Sequence, residues 1–272
     1  MLCLDAPLVA AAWALVVSSL REGPLDSPYP VVALFSAVWA VYLFDRLYDT
    51  RRLAIEKHMP MRHKFTVRFR SLILTLLVIA LSLALLSYPF LPVIMKQGGA
   101  ILAGLTLGYY VVFRFFRRFS GQFLRGPWKE LTIALCFTSG IFLSVFPIEA
   151  SAEALLLGVA MTSLFFANCF RISMAEADYD KFHDPAGFFA FSCRRSSRTV
   201  VVLPTLAFVI SLYLILSGEV IPIGFCILGT SLICFVINST RRISDSFVQA
   251  FADLALLIFP LTVLALQFIL TR

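Results

Sequence analysis

The sequence predicts an all-α integral membrane protein, a bundle of about nine transmembrane helices, and three observations predict it. Hydrophobic residues make up 60% of the 272 and charged residues only 14%, with a mean hydropathy of +0.90. A soluble domain is nearer half apolar and a quarter charged, so lipid is the solvent for most of this surface. Apolar runs recur at close to the roughly 20 residues a helix needs to cross the hydrocarbon, and basic loops follow every second run.

The runs cover residues 7–20, 28–48, 69–91, 95–116, 129–149, 152–172, 199–218, 220–238 and 247–270, with ends set to within about 2–4 residues. Eight spans are the alternative count, because the first run is short and 199–238 divides ambiguously. The segment Met1–Leu8 contains Asp5 and no Lys or Arg. That pattern is wrong for a signal peptide, so the first run is expected to stay as a helix. The longest mainly polar stretches, Asp49–Arg68, Arg114–Lys129 and Arg171–Arg198, are each too small for a core of their own. Residues 1–272 therefore read as a single transmembrane domain.

Of the 23 basic residues, 20 fall on one side of this nine-span plan, leaving Arg21, Lys96 and Arg272 for the other. Positive charge is retained in the cytoplasm during insertion, so the basic face is expected to be cytoplasmic, with the amino terminus inside and the carboxyl terminus outside. Topology and anionic lipid account for the net charge of +7, and no nucleic-acid partner is needed. The six cysteines, Cys3, Cys136, Cys169, Cys193, Cys226 and Cys234, form no CxxC pair. They read as small apolar side chains rather than a metal or disulfide framework.

Two acidic pairs stand apart from the solvated acids at span ends. Asp45 and Asp49 close span two in YLFDRLYD, and Glu176 and Asp180 close span six in SMAEADYD. Each pair is spaced i, i+4, which stacks two carboxylates on one helix face. Such like charges repel and call for a compensating cation; a hard divalent ion held by oxygen ligands supplies one, and magnesium typically combines one or two carboxylates with substrate phosphates. The segments also match in plan, Tyr42-x-x-Asp45-x-x-x-Asp49 against Ser173-x-x-Glu176-x-x-x-Asp180. A basic loop follows each, with Lys57, Arg62, His63 and Lys64 after the first and Lys181, Arg194, Arg195 and Arg198 after the second. Carboxylates, a divalent ion and mobile cations are the parts that hold a diphosphate as a leaving group. Helix packing and proton relay are the competing readings of a lone acidic pair; the repetition on one side favours metal chemistry.

Other residues carry weaker signals. Asp253 lies inside the last apolar run and is expected to face the interior. Asn168, two turns before Glu176, either extends a polar wall or bonds another helix. Trp39, Tyr109, Tyr110 and Trp128 are expected near the membrane interfaces. Phe165, Phe166, Phe188 and Phe189 are expected to face lipid, with an isoprenoid pocket as the alternative.

The two motif-bearing spans resemble the UbiA superfamily of intramembrane prenyltransferases, as a divergent member. Asp45, Arg46 and Asp49 meet the family's DRxxD, Glu176 and Asp180 meet its second motif with Glu for Asp, and Lys57 and Arg62 meet a K-x-x-x-x-R lying about one turn late. The segment PWKELTIALCFTSG, with Lys129 and Glu130, is also similar to the family. The chain departs from it at Val41 and Tyr42, where Asn and a first Asp are usual, and at His63, where proline is common. The resemblance implies nine helices around a central cavity open to lipid, with the active-site face cytoplasmic. It implies Mg²⁺ held by Asp45, Asp49, Glu176 and Asp180 as the catalytic and metal residues, with Arg46, Lys57, Arg62, Lys181 and Asn168 binding the diphosphate. The implied reaction ionises an isoprenoid diphosphate and transfers the prenyl group to an acceptor whose identity stays open. One alternative is a terpene cyclase of the same superfamily, in which the cation is captured within its own chain. Another is an ion-coupled transporter, whose spans are often interrupted by Gly or Pro. Here Pro28 lies near the start of span two and no proline lies inside span six, which favours the enzyme.

Overall fold

A computed structural model describes residues 2–20, 27–50, 61–115, 128–147, 151–183, 193–218, 220–239 and 245–270. Side chains at 61–62, 113–115, 175–183, 193–200, 238–239, 245–250, 252 and 270 fall outside that description. The described residues form α-helices with no strand: α1 (Asp5–Val17), α2 (Tyr29–Thr50), α3 (Met61–Arg68), α4 (Arg70–Ser87), α5 (Val93–Phe115), α6 (Trp128–Ser144), α7 (Ala152–His183), α8 (Cys193–Ser217), α9 (Ile221–Ser239) and α10 (Asp245–Leu270).

Every apolar run of the sequence has its own helix, and the differences lie at the ends. The fifth run stops early, α6 closing at Ser144 rather than near 149. The sixth runs on past 172 as a single 32-residue helix that carries the second acidic motif to His183. Inside the polar stretch 49–68 the structure adds α3, separated from α4 by Phe69 at φ −116°, ψ 40°. The hydrogen-bond ladder still crosses that bend, from Phe69 N–H to Phe65 O and from Ile73 N–H to Phe69 O. By length and composition α2, the stretch Arg70–Phe90 and Ala152–Met174 of α7 can cross a membrane; parts of α1, α8, α9 and α10 are shorter apolar helices.

The short first helix lies at the centre. Val9, Trp13, Ala14, Val16 and Val17 are buried against α6, α7, α9 and α10 in the main core, with Leu164, Phe165, Ile223, Ile227 and Leu256. Lipid tails are as apolar as these side chains, so the packing is held by close van der Waals fit and interhelical hydrogen bonds rather than by exclusion of water. Gly229 shows the closeness required: a Cβ there would meet the Phe259 ring at 2.2 Å, so α9 and α10 approach only because the position is glycine. Hydroxyls buried in this medium need acceptors, and Thr230 and Ser231 donate to the carbonyls of Cys226 and Ile227, one turn back. A second cluster joins α2 to α4 around Leu43, Ile73 and Ala80.

Three sequence expectations are corrected here. Trp39 does not present its ring to a membrane interface but turns it inward; it is 8% exposed and its indole N–H donates to Leu2 O at 3.0 Å, tying the N-terminal segment to α2. Phe165 does not face lipid but meets the rings of Trp13 and Phe137 edge-on inside the core, and Phe166 is half-buried against Phe170. In each case the bundle is thick enough that an aromatic run has an inner side, which composition does not reveal. The remaining two, Phe188 and Phe189, lie outside the described residues.

Candidate functional site

Helix direction brings the polar residues to one end of the bundle. The start of α1, the last turns of α2, the start of α6, the second half of α7 and the start of α10 meet there, because α2 and α7 run toward that end while α6 and α10 run away from it.

On α2, Asp45 and Asp49 are half-buried. The phenol of Tyr110, from α5, donates to Asp45 Oδ1 at 3.2 Å. Tyr110, expected near a membrane interface, orients a motif carboxylate at the end of α2. Phe44 and Tyr109 meet the Tyr110 ring edge-on, with centroids 5.4 and 5.3 Å away, so an aromatic corner stands beside Asp45. Lys129 opens α6 with its ammonium in the combined field of Asp45, Glu130 and Asp49. A cation so placed offsets the repulsion between carboxylates one helical turn apart. Arg46, the middle residue of the motif, interacts with the Cys3 thiol near the amino-terminal end of the described chain, and Asp5 also acts on that thiol.

Deeper in the bundle, Glu130 is 5% exposed. Its Oε1 accepts a 2.9 Å hydrogen bond from Ser173 Oγ, and no donor reaches Oε2. Ser173 is the residue that the α7 motif sets where the α2 motif has Tyr42. Asn168, one turn and a residue earlier on α7, donates from Nδ2 to Asp253 Oδ1 of α10 at 3.0 Å, while its own Oδ1 is buried without a donor. The expectation that Asp253 faces inward holds, and Asn168 takes the interhelical bond. Between them Cys169 feels the charges of Glu130 and Asp253, and Tyr42 on α2 feels Asp253 as well. The two hydrogen bonds tie α7 to α6 through Ser173 and Glu130 and to α10 through Asn168 and Asp253.

The other sequence candidates distribute as follows. Glu176, Asp180 and Lys181 lie on the backbone of α7, about one to two turns beyond Ser173, with side chains outside the described residues. Arg62 is in α3, its side chain likewise outside, and Lys57 lies outside altogether. Two of the four expected metal ligands are thus described, and among the described residues no group of three or more His, Cys, Asp or Glu converges on one point. Glu130 and Tyr110 carry site roles that the sequence did not assign. A glutamate opening an apolar run was the available signal for Glu130; nothing local marks Tyr110, which reaches Asp45 only through the crossing of α5 past α2.

Neither a protein-family model nor a curated protein sequence matches this chain. Solved structures do. The apo structure of a UbiA homologue from Aeropyrum pernix K1 matches with a TM-score of 0.68 at 12% identity, over 97% of this chain and 98% of that one. A digeranylgeranylglyceryl phosphate synthase structure matches with a TM-score of 0.59 at 14% identity, over 97% of this chain and 93% of that one. At such identities the likeness is one of fold: the chain is an α-helical membrane protein with the UbiA-type architecture along nearly its whole length.

Proposed function

We propose, from the UbiA-type fold as premise, that this chain is a magnesium-dependent intramembrane prenyltransferase that ionises an isoprenoid diphosphate and passes the prenyl group to an acceptor. The observation that supports the reading is the hydrogen bond by which Tyr110 orients Asp45, one helical turn from Asp49, at the end of α2, with α7 continuing through Glu176 and Asp180 to His183. One of the solved structures of this fold is a digeranylgeranylglyceryl phosphate synthase.

The donor set suits magnesium. Asp45 and Asp49 offer hard carboxylate oxygens, and the Tyr110 hydroxyl steadies one of them; Glu176 and Asp180 would complete the ligands. The ion when bound would neutralise charge on the diphosphate oxygens. The protein's own cations do the same work from the other side. Lys129 lies in the field of the carboxylates, and Lys57, Arg62 and Lys181 would reach the diphosphate from the segment after α2, from α3 and from the end of α7. Charge-assisted hydrogen bonds of this type are roughly twice as strong as neutral ones. As the allylic C–O bond breaks, positive charge grows on the prenyl carbon, and the rings of Phe44, Tyr109 and Tyr110 present aromatic surface that stabilises a cation without capturing it. The basic, active-site end is assigned to the cytoplasm on the loop charges.

The deciding experiment uses purified protein in lipid nanodiscs with geranyl, farnesyl and geranylgeranyl diphosphate, with Mg²⁺ or with EDTA, in the presence of total membrane lipid. Pyrophosphate should be released only with Mg²⁺, and Asp45→Asn should abolish release. Release that persists in EDTA, or none from any of the three substrates, refutes the reading.

A further inference from the structure

Phe44 meets the Tyr110 ring at 5.4 Å and so marks the face that α2 turns toward α5. Val41 and Ala37 precede it by three and seven residues on the same face. All three are exposed, Val41 to 37% and Phe44 to 45%. Tyr110 marks the matching face of α5, which runs back through Leu107, Ala103, Gly99 and Lys96 at helical spacing. Leu107 is 66% exposed, Ala103 is exposed, and a Cβ at Gly99 would meet nothing within 4 Å. The two helices are tied again at their other ends, where Tyr29 stacks on Phe90, three residues before α5 begins, with ring centroids 4.3 Å apart. The facing sides of α2 and α5 thus meet at both ends and stand apart between them, with α6 packed on both helices. At 1.5 Å per residue the slot from Tyr29 to Phe44 is roughly 22 Å long.

We propose that this slot holds one chain of a membrane phospholipid whose anionic headgroup rests on Lys96, in the leaflet away from Asp45. Lys96 lies on the slot face of α5, at the end opposite Tyr110. Its ammonium donates to Pro89 O at 3.1 Å and sits 5.4 Å from the centre of the Tyr88 ring. Those two contacts hold the charge at the mouth of the slot and use one of its three N–H donors; a phosphate oxygen can take the others. The apolar walls do not hold water, and left empty they would lose their van der Waals partners. The slot exceeds half of the roughly 30 Å hydrocarbon thickness, so a chain anchored at Lys96 fits along it. A prenyl tail descending from the acidic motifs would have to pass the Phe44–Tyr110 contact, and its apolar tip would end at a cation. The inference stands apart from the prenyl-transfer reading and does not rest on it.

The test uses the full chain in phosphatidylcholine nanodiscs. A little phosphatidylglycerol, or the same amount of phosphatidylcholine, carries a photoactivatable diazirine midway along one chain, and adducts are located by mass spectrometry of peptides. The phosphatidylglycerol probe is expected to mark residues 37–44 and 99–107 about ten-fold more than the phosphatidylcholine probe, the range of one charge-assisted hydrogen bond. Lys96→Gln should bring the two probes level and Lys96→Arg should keep the preference. Ala103→Phe fills the slot away from the lysine and should suppress its marking by both probes; either variant decides the matter if the other does not fold. Equal marking in the parent, a preference that survives Lys96→Gln, or undiminished marking in Ala103→Phe overturns the proposal. So does loss of the phosphatidylglycerol adducts when farnesyl thiolodiphosphate is added with Mg²⁺, which would give the slot to a prenyl tail.

Discussion

The indole N–H of Trp13 donates to the carbonyl oxygen of Leu256 at 2.9 Å, across the contact between α1 and α10. That carbonyl lies four residues before Pro260, inside α10. Proline has no N–H, so it leaves the acceptor of its own helical turn without a donor. In lipid such an orphan is costly, and the central helix supplies the missing donor. Trp13→Phe keeps the ring and removes the bond; it should cost about 1–3 kcal/mol of stability. In a Pro260→Ala background the helix recovers its own donor, so the same substitution should cost at least about 0.5 kcal/mol less. Unfolding of the four proteins in one detergent measures the coupling, and additive effects would show that the bond does not serve this purpose.

Tyr110 positions Asp45 rather than touching the reacting carbon. Tyr110→Phe should therefore raise the Mg²⁺ concentration needed for half-maximal activity by about two- to ten-fold, the range of one hydrogen bond, and leave kcat at saturating Mg²⁺ within about two-fold. Magnesium titrations of both proteins at fixed farnesyl diphosphate check the split. A fall in kcat with no change in Mg²⁺ requirement would place Tyr110 in the chemistry instead.

The two acidic motifs are proposed to act as one site. Asp49→Asn and Asp180→Asn should each abolish pyrophosphate release, and the double variant should be little worse than either, as residues acting as a unit are non-additive. Each single variant should also lose the Mg²⁺-dependent part of diphosphate binding. Without metal, each is expected to be as stable as the parent or slightly more so, since a like-charge repulsion across one helical turn is gone. Melting temperatures and diphosphate binding, taken with Mg²⁺ and with chelator, separate this from a packing role, which predicts lost stability and metal-independent binding.

Orientation is tested by single cysteines placed in a cysteine-free background. Those replacing Lys57 or Arg195 should react with an impermeant maleimide only from the cytoplasmic side, and those replacing Lys96 or Glu219 only from outside. Labelling of all four from the same face would contradict the alternation of basic loops and pull the two motifs apart.

Much of the fold was legible because the bilayer imposes a single rule: a run of apolar residues of the right length has to form a helix, since only a helix satisfies its own backbone in lipid. Each of the nine runs has its helix. The same rule says nothing of where a helix stops once it leaves the hydrocarbon, so the continuation of α7 to His183 and the presence of α3 needed the structure. Nor does it say which face of an apolar helix is inside. Phe165 and Trp39 have the composition of lipid-facing or interfacial residues and are core.

At the site, local spacing exposed what a helix turn brings together. Asp45 with Asp49 and Glu176 with Asp180 are neighbours on one face by periodicity alone, and Asp253 was marked by its cost in an apolar run. What the sequence by itself determined is therefore the class of the protein, the order of its helices and the acids that crown two of them, all set by interactions within about one helical turn or by the solvent. The tertiary structure alone decided that Tyr110 reaches Asp45, that Ser173 holds Glu130, and that Asn168 meets Asp253. These pairs are 65, 43 and 85 residues apart in the chain. No periodicity spans such separations; they depend on which helices cross and how closely, and that is settled by the fit of whole helix faces.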